Sequence, residues 1–438
     1  MVILISFLAF LTLVQCEKQL IFAYSCTLSG TSYPPKKFSN LIADISSGLT
    51  PGGIRQLYIL GRELRDRFIV KQTLLDDNYN PKQLIIRPLM VDKAVGSAYA
   101  VMAGLYPAGT GHIINSHKVR QSAVPPNNYD YSKWIKDLEA GALNYTYQSM
   151  PLTMTGKAVD VLVSAESQCD ALKGYVSQNS HNWKDKLDNQ KKKVATFFGK
   201  PEEEIKDVEE LSELRELILY GLVEGKYKKG FEEDKDVYSE TIEINKYIAD
   251  LLLKNGDIKK LASTPILRDV MNNMNDTYMR YLNGSMTHND LKYISLVGVD
   301  RSTIMAIAKG LIPEINQDIL PMPASILLFE LYKETQGENS YKVHFTYDKQ
   351  NITFSIEEFF KKVADSTFTE EEFINRCNVE DSDGGSSWLL IAIIAIGVLL
   401  LVALGILIKV MVSKYISGKT TPEEEERILS EIQDQYKE

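Results

Sequence analysis

The most constraining feature of this sequence is a long stretch without charge near its C-terminus. Residues 388–408 contain no Asp, Glu, Lys or Arg, and about 21 helical residues are enough to cross roughly 30 Å of hydrocarbon. Lys409 and Lys414 follow the stretch, whereas acidic residues precede it, so the positive-inside rule places the C-terminus in the cytoplasm. We therefore predict one C-terminal transmembrane helix, with a core helix of a soluble protein as the alternative.

The N-terminus predicts entry into the secretory pathway. Residues 1–16 carry no charge and include a short apolar run, which is typical of a signal peptide; a buried N-terminal helix is the alternative. Together the two segments predict a single-pass type I protein of the secretory pathway or the cell surface. Its lumenal or extracellular ectodomain covers 17–380, and a stalk at 381–387 leads to the span. Residues 409–438 form a cytoplasmic tail.

Charge and composition narrow the function. The formal net charge of −9 argues against nucleic-acid binding, because phosphate backbones attract basic surfaces. After signal cleavage Cys26, Cys169 and Cys377 remain, and at most one disulfide can form among them within the chain. Asn-x-Ser/Thr sequons in the predicted ectodomain indicate a glycoprotein. They begin at Asn144, Asn275, Asn283 and Asn351.

The hydrophobic pattern predicts an α/β fold in which strands and helices alternate. Strands are expected near 19–24, 83–86, 293–297, 325–332 and 341–347. Helices are expected from Pro51, with Thr50 as N-cap, over 94–104 and after Asp300. Between about 110 and 290 charged helical stretches predominate. This interruption predicts a mixed sheet flanked by helices, with an α-helical insert subdomain.

The loop after the first predicted strand could cradle a phosphate through its backbone N–H groups. It reads AYSCTLSGTSYPP over 23–35 and contains no Arg, Lys or His. Cys26 cannot serve the C-x5-R motif of thiol phosphatases, because the required Arg position is Ser32. We interpret Cys26 as a packed residue or a free thiol.

Three sequence blocks resemble the histidine acid phosphatase family. Residues 49–56 resemble its L-T-P-x-G-x-R-Q helix start, and residues 97–107 resemble its S-A…G-L-Y-P helix. Residues 323–331 are similar to its A-S-x-L-x-F-E-L strand. The resemblance covers most of the predicted ectodomain. It implies the fold of that family, although these blocks carry no chemistry.

The reactive blocks of that family are degenerate here. Its first loop, R-H-G-x-R-x-P, aligns with residues 28–34, so Ser29 takes the place of the nucleophilic His. Leu28 and Ser32 take the places of the two phosphate-binding Arg residues. In the later H-D pair, Val299 replaces a phosphate-binding His. Asp300 keeps the position of the acid that protonates the leaving oxygen; an N-cap role is the alternative.

Positive charge is only partly retained. In the block over 87–94, Arg87 keeps the position of a phosphate-clamping Arg, and Lys93 keeps a charge. Phosphoryl transfer needs a nucleophile and positive charge on the transferring oxygens. We therefore predict a catalytically inactive homologue, and the sequence indicates neither a metal site nor a cofactor. The resemblance further implies a Cys169–Cys377 disulfide, which would leave Cys26 unpaired.

These features predict a membrane-anchored pseudophosphatase with a binding or structural role, recognising an anionic ligand or a protein partner. One alternative is an active acid phosphatase that hydrolyses phosphate monoesters with an altered site. Another is a trafficking adaptor acting through its tail. There Glu424, Ile428 and Leu429 loosely resemble an acidic dileucine signal, although a short amphipathic helix also explains them.

Overall fold

The structure is a computed structural model. It describes residues 18–34, 48–126, 129–156, 160–163, 165–173, 175–225, 235–315, 321–334, 340–347 and 350–377, together with 426, 427 and 430. The predicted signal peptide, stalk and transmembrane span, and nearly all of the tail, lie outside these residues. Within the described part of the chain, no helix combines the length and apolar character that crossing a membrane requires.

A six-stranded mixed sheet forms the centre of the fold. Its strands are β1 (Lys18–Thr27), β2 (Leu84–Pro88), β3 (Lys292–Val297), β4 (Ile326–Glu334), β5 (Tyr341–Tyr347) and β6 (Gln350–Ser355). The spatial order is β2-β3-β1-β4-β5-β6. Strands β1, β2 and β3 are parallel, whereas β4, β5 and β6 join by antiparallel pairing. The predicted α/β class and mixed sheet are confirmed.

Strands β1 and β3 are almost entirely buried, and helices pack against all three parallel strands. Such burial favours uninterrupted apolar sequence. After its first two residues, β1 is buried along its whole length. Thr27 pairs in register with Val297, and Pro88 pairs with the same residue from the other side. The three parallel strands therefore end together, and their carboxyl ends form one edge of the sheet.

The described residues contain fourteen α-helices. They are α1 (Pro51–Arg65), α2 (Asp92–Leu105), α3 (His117–Ser122), α4 (Ser132–Leu138), α5 (Ala165–Gln168), α6 (Tyr175–Asn179), α7 (Trp183–Lys186), α8 (Asp188–Phe198), α9 (Val208–Glu224), α10 (Lys235–Lys254), α11 (Gly256–Leu282), α12 (Arg301–Leu311), α13 (Ile356–Ser366) and α14 (Glu370–Cys377). As predicted, Thr50 caps α1: its hydroxyl accepts a hydrogen bond from Gly53 N at 2.9 Å, and Pro51 is the first helical residue.

Helices α3 to α11 form the predicted insert between α2 and β3. Part of the insert has its own apolar core, built around Trp183, Leu211 and Leu214. Helix α11 instead packs against β1, so it belongs to the wall of the central sheet. The predicted disulfide is confirmed: Cys169 of the insert is bonded to Cys377 at the end of α14. Cys26 is a buried free thiol, as predicted.

Candidate active-site cleft

The residues predicted for the site meet at the carboxyl edge of β1, β2 and β3. Gly298, directly after β3, has φ of +82°, a backbone conformation that glycine adopts readily. A Cβ at Gly298 would lie 3.3 Å from Ser29 Oγ and 2.4 Å from Ala94 Cβ. The loop after β1, the start of α2 and the end of β3 are therefore in contact. Carboxyl ends of parallel strands are the usual place for a site in an α/β sheet.

Helix side chains hold the first loop in place. Gln56 Oε1 accepts hydrogen bonds from both Thr31 N and Thr31 Oγ1 at 3.1 Å, and Ser97 Oγ accepts one from Gly30 N at 3.2 Å. Tyr33 N donates to Gly48 O at 3.0 Å. These N–H groups are already used within the protein. The loop keeps its turn, but these N–H groups do not form the phosphate cradle that its sequence suggested.

Two of the positions predicted to be degenerate, Leu28 and Val299, belong to the hydrophobic core. Leu28 is 6% exposed and Val299 is 2% exposed, and both belong to the cluster of buried side chains around the sheet. Ser29, between the buried positions 28 and 30, is half-buried. Leu28 and Val299, two of the positions predicted to have lost Arg and His, thus hold apolar side chains that cannot bind phosphate.

Arg87 lies at the end of β2 and is engaged with a carboxylate. Its Nη2 donates to Asp160 Oδ1 at 2.7 Å, and Asp160 is fully buried. Val163 N donates to the same oxygen at 3.2 Å. Asp160 orients the Arg87 guanidinium and offsets its charge, so Arg87 attracts an added anion less than an isolated guanidinium would.

Asp300 stands at the N-cap position of α12 with an extended backbone, φ −64° and ψ 143°. Asp300 therefore has the position of the N-cap residue, which was the alternative role, but its side chain makes no capping hydrogen bond to that helix. The residue is half-buried and follows the buried Val299. Its place at the sheet edge is compatible with the acid role that the resemblance implies.

Arg301, the next residue, bridges three parts of the fold. Its Nη1 donates to Glu216 Oε1 of α9 at 2.8 Å, and its Nε donates to Pro321 O at 2.8 Å. Glu216 Oε1 also accepts from Arg215 Nη1 at 2.9 Å. The insert is thereby joined to the start of α12 by an ion pair beside the degenerate site.

The Glu216 carboxylate stays ionised in this setting. Burial by itself raises its pKa, but the charges of Arg301, Arg215 and Lys93 outweigh burial and lower the pKa to about 2. Lys93 is exposed at the start of α2. Glu216 is therefore an anion held among several cationic side chains of the cleft.

Helix α9 touches the site at two further points. Glu224 Oε1 accepts a hydrogen bond from Gly52 N, at the N-terminus of α1, at 2.9 Å. The rings of Tyr220 and Tyr33 lie 5.9 Å apart. Because α9 contacts the first loop and the starts of α1 and α12, it covers the carboxyl edge of the sheet.

Thiol and metal chemistry find no support in the described residues. Burial raises the pKa of the Cys26 thiol, which therefore stays protonated and is a poor nucleophile. Nowhere in the described ranges do three His, Cys, Asp or Glu side chains converge as metal ligands.

The Asn side chains of all four sequons are exposed. Their glycosylation remains a prediction.

Four functional residues were not predicted from sequence. Arg301 follows Asp300 directly, and a cation beside a retained acid is a signal that the sequence offers. Asp160, Glu216 and Glu224 lie in the insert, and no spacing or motif connects them with the site. Their partners are 73, 85 and 172 residues away along the chain.

Comparison with known proteins agrees with this fold. The sequence model of the histidine phosphatase superfamily (branch 2) matches residues 10–283, more than half of the chain. The chain belongs to this family. The predicted resemblance to histidine acid phosphatases is thereby confirmed.

Individual relatives are distant. Lysosomal acid phosphatase of Xenopus laevis is 39% identical over 67 residues, which are 15% of this chain and 15% of that protein. Hafnia alvei phytase in its apo form superimposes with a TM-score of 0.51 at 14% identity, covering 80% of this chain and 97% of the phytase. Citrobacter braakii phytase gives 0.51 at 12% identity, covering 81% and 100%. Similarity at these identities shows the fold alone.

Proposed function

We propose that this protein is a membrane-anchored histidine phosphatase homologue without phosphatase activity, whose ectodomain has a binding or structural role. One observation carries the proposal: in the blocks that resemble the family, Ser29 and Val299 align with the two active-site His residues, and Val299 is buried. A serine hydroxyl needs a neighbouring base to act as a nucleophile. None of the five His residues of the chain lies in the three reactive blocks, which cover 28–34, 87–94 and 297–303.

The lost positive charge supports the same conclusion. Removing one group that stabilises a transition state usually costs about 3–4 kcal/mol. Two Arg positions now hold Leu28 and Ser32, and Arg87 is paired with Asp160. Such groups act as a unit, so their separate costs do not simply add. Even one such loss, combined with loss of the nucleophile, removes most of the catalytic power.

Membrane anchoring rests on the uncharged segment over 388–408 and its basic flank. The Cys169–Cys377 disulfide supports the secretory route, because disulfides form and persist mainly in oxidising compartments. We propose a lumenal or extracellular ectodomain and a cytoplasmic tail. An anionic ligand or a protein partner is the proposed binding target.

The alternative function is an active acid phosphatase with an altered site. The retained position of Asp300, at the same sheet edge as Arg87 and Lys93, favours this alternative. A generic phosphomonoester assayed at acidic pH on the purified full-length chain in detergent separates the two. We expect wild type and Asp300→Ala to show the same background rate. Turnover that Asp300→Ala abolishes would establish the active enzyme instead.

Topology is tested separately. Epitope tags at both ends of the mature chain, in sealed microsomes treated with protease from outside, report which end faces the cytoplasm. We expect the N-terminal tag to be protected and the tag after Lys414 to be digested. A protected C-terminal tag contradicts the type I assignment.

A further inference from the structure

One face of α9 touches three elements that build the cleft. Glu216, Tyr220 and Glu224 are spaced by four residues, so their side chains project from the same side of the helix. Glu216 pairs with Arg301 at the start of α12, and the Tyr220 ring lies 5.9 Å from the Tyr33 ring of the first loop, tilted by 44°. Glu224 caps the N-terminus of α1. Helix α9 thus lies across the cleft and contacts it from Glu216 to Glu224.

Both carboxylates occupy positions that attract anions. A guanidinium binds carboxylate or phosphate through charge-assisted hydrogen bonds, and Glu216 Oε1 lies 2.8 Å from Arg301 Nη1. The N-terminus of a helix such as α1 presents N–H groups and partial positive charge, which favour phosphate and carboxylate alike. Glu224 takes the N–H of Gly52 there at 2.9 Å.

Packing leaves little space for a ligand beside these carboxylates. A Cβ at Gly52 would lie 2.5 Å from Glu224 Oε1 and 2.6 Å from Val223 Cγ1. Helix α9 therefore rests directly on the start of α1. An incoming phosphate could take the Gly52 N–H only by displacing the Glu224 side chain. A neutral Gln at this position accepts a weaker hydrogen bond than the carboxylate and is displaced more readily.

We propose that α9 supplies the resident anions of this cleft, with Glu216 and Glu224 excluding inorganic phosphate and phosphate monoesters from Arg301, Lys93 and the α1 N-terminus. The proposal rests on the proposed function, because a working phosphatase would have to admit its substrate here. It adds a specific cause: the cleft is closed by charge from its own insert as well as by the loss of catalytic residues. Neutralising the two carboxylates converts it into an anion site.

The test measures binding of inorganic phosphate to the full-length chain in detergent by calorimetry. Glu216→Gln and Glu224→Gln keep side-chain shape and remove charge, singly and together. Glu203→Gln, an exposed residue on the turn before α9, is the control for the loss of one negative charge in each single variant. We expect wild type and control to show no saturable binding up to about 10 mM, and the double variant to bind with a Kd of about 1 mM or lower, at least about tenfold below that limit.

Arg301→Gln, added to the double variant, should abolish the gained binding. Near-ultraviolet circular dichroism establishes that each variant is folded; if the double variant does not fold, the single Glu216→Gln variant decides. A folded variant that binds no better than wild type overturns the proposal, as does wild-type protein that already binds phosphate as tightly as the variants. Turnover of a phosphomonoester by wild type contradicts the proposed function, whereas the binding comparison decides this inference.

Discussion

The scaffold that holds the first loop matches the sequence pattern of the family, whereas the reactive positions predicted from the resemblance do not match it. Scaffold residues keep the family pattern: Thr50 caps α1, and Gln56 takes two hydrogen bonds from Thr31. Reactive positions do not, since Leu28 and Val299 now belong to the core. The residues that match the family pattern are ones that the fold uses, whereas at two of the positions predicted to have lost phosphate-binding residues, Leu28 and Val299, the side chains pack in the core.

The same contrast holds for charge. Glu330, in the strand block that resembles the family, is fully buried and pairs with Arg67 through both carboxylate oxygens. That pair joins β4 to the turn after α1 and serves the fold. Near the cleft, Arg301 and Arg215 pair with Glu216 of the insert. The Glu330–Arg67 pair supports the sheet, whereas near the cleft Arg301 and Arg215 pair with Glu216 of α9.

Glu330→Gln tests the scaffold half of this comparison and has the largest expected effect. Removing one partner of a buried ion pair leaves the other charge uncompensated. We expect a loss of about 3 kcal/mol in unfolding free energy, at the lower end of the range for buried pairs because Arg67 is 33% exposed. Urea denaturation measures it. Asp77→Asn, at the exposed Arg65–Asp77 pair, should cost less than about 1 kcal/mol; equal losses would show that burial does not matter here.

Val299→His tests whether the reactive half can be restored. The position is 2% exposed, so the ring must fit into a packed core and bury polar nitrogens. We expect a loss of about 2–3 kcal/mol. Ser29→His, at a half-buried position, should cost less. Neither variant nor their combination should turn over a phosphomonoester, because Leu28 and Ser32 still lack the Arg charge. Turnover in the double variant would show that the cleft remains competent.

Much of the fold was predictable because it depends on local pattern. Uncharged apolar runs marked β1 and β3, and the Thr50-Pro51 pair marked the start of α1. The strand β6 was missed, since most of its residues are exposed or half-buried and its sequence has no apolar run. The disulfide followed only from the family resemblance, as spacing alone left the pairing open.

The identities of the site residues could be predicted from the sequence, but the contacts that their side chains make could not. Alignment with the family indicated which reactive residues are missing. It could not show that Arg87 meets Asp160 or that Arg301 meets Glu216, because both carboxylates come from the insert. Such pairs depend on how distant segments pack, and no local pattern encodes them.

Gly53→Ala tests how closely helix α1 packs against the loop after β1. A Cβ at Gly53 would lie 2.0 Å from Thr31 O, which is backbone and cannot rotate away. We expect a loss of about 2 kcal/mol from overpacking. Gly96→Ala in α2 is the matched control, because the nearest atom there is Leu49 Cδ1 at 3.4 Å, and alanine favours the helix. If the midpoint temperature of thermal unfolding falls equally for Gly53→Ala and Gly96→Ala, the scaffold holds the loop only loosely.

Glu216→Gln has the smallest expected effect and tests the cleft's internal charge through pH. The folded pKa of Glu216 is lowered from 4.5 to about 2, because three cationic side chains outweigh the opposing effect of burial. A lowered pKa stabilises the fold above the unfolded value of 4.5, and this stabilisation is lost as pH falls towards 2.

The Glu216 side chain is 45% exposed, so solvent screening reduces its contribution to the unfolding free energy to about 1 kcal/mol. Urea denaturation should give this difference between wild type and Glu216→Gln at about pH 7 and still at about pH 5, and a smaller one near pH 3. We therefore expect the ion pair between α9 and α12 to persist at mildly acidic pH. A difference that disappears by about pH 5 would show that the cationic side chains do not hold the Glu216 carboxylate in its charged form.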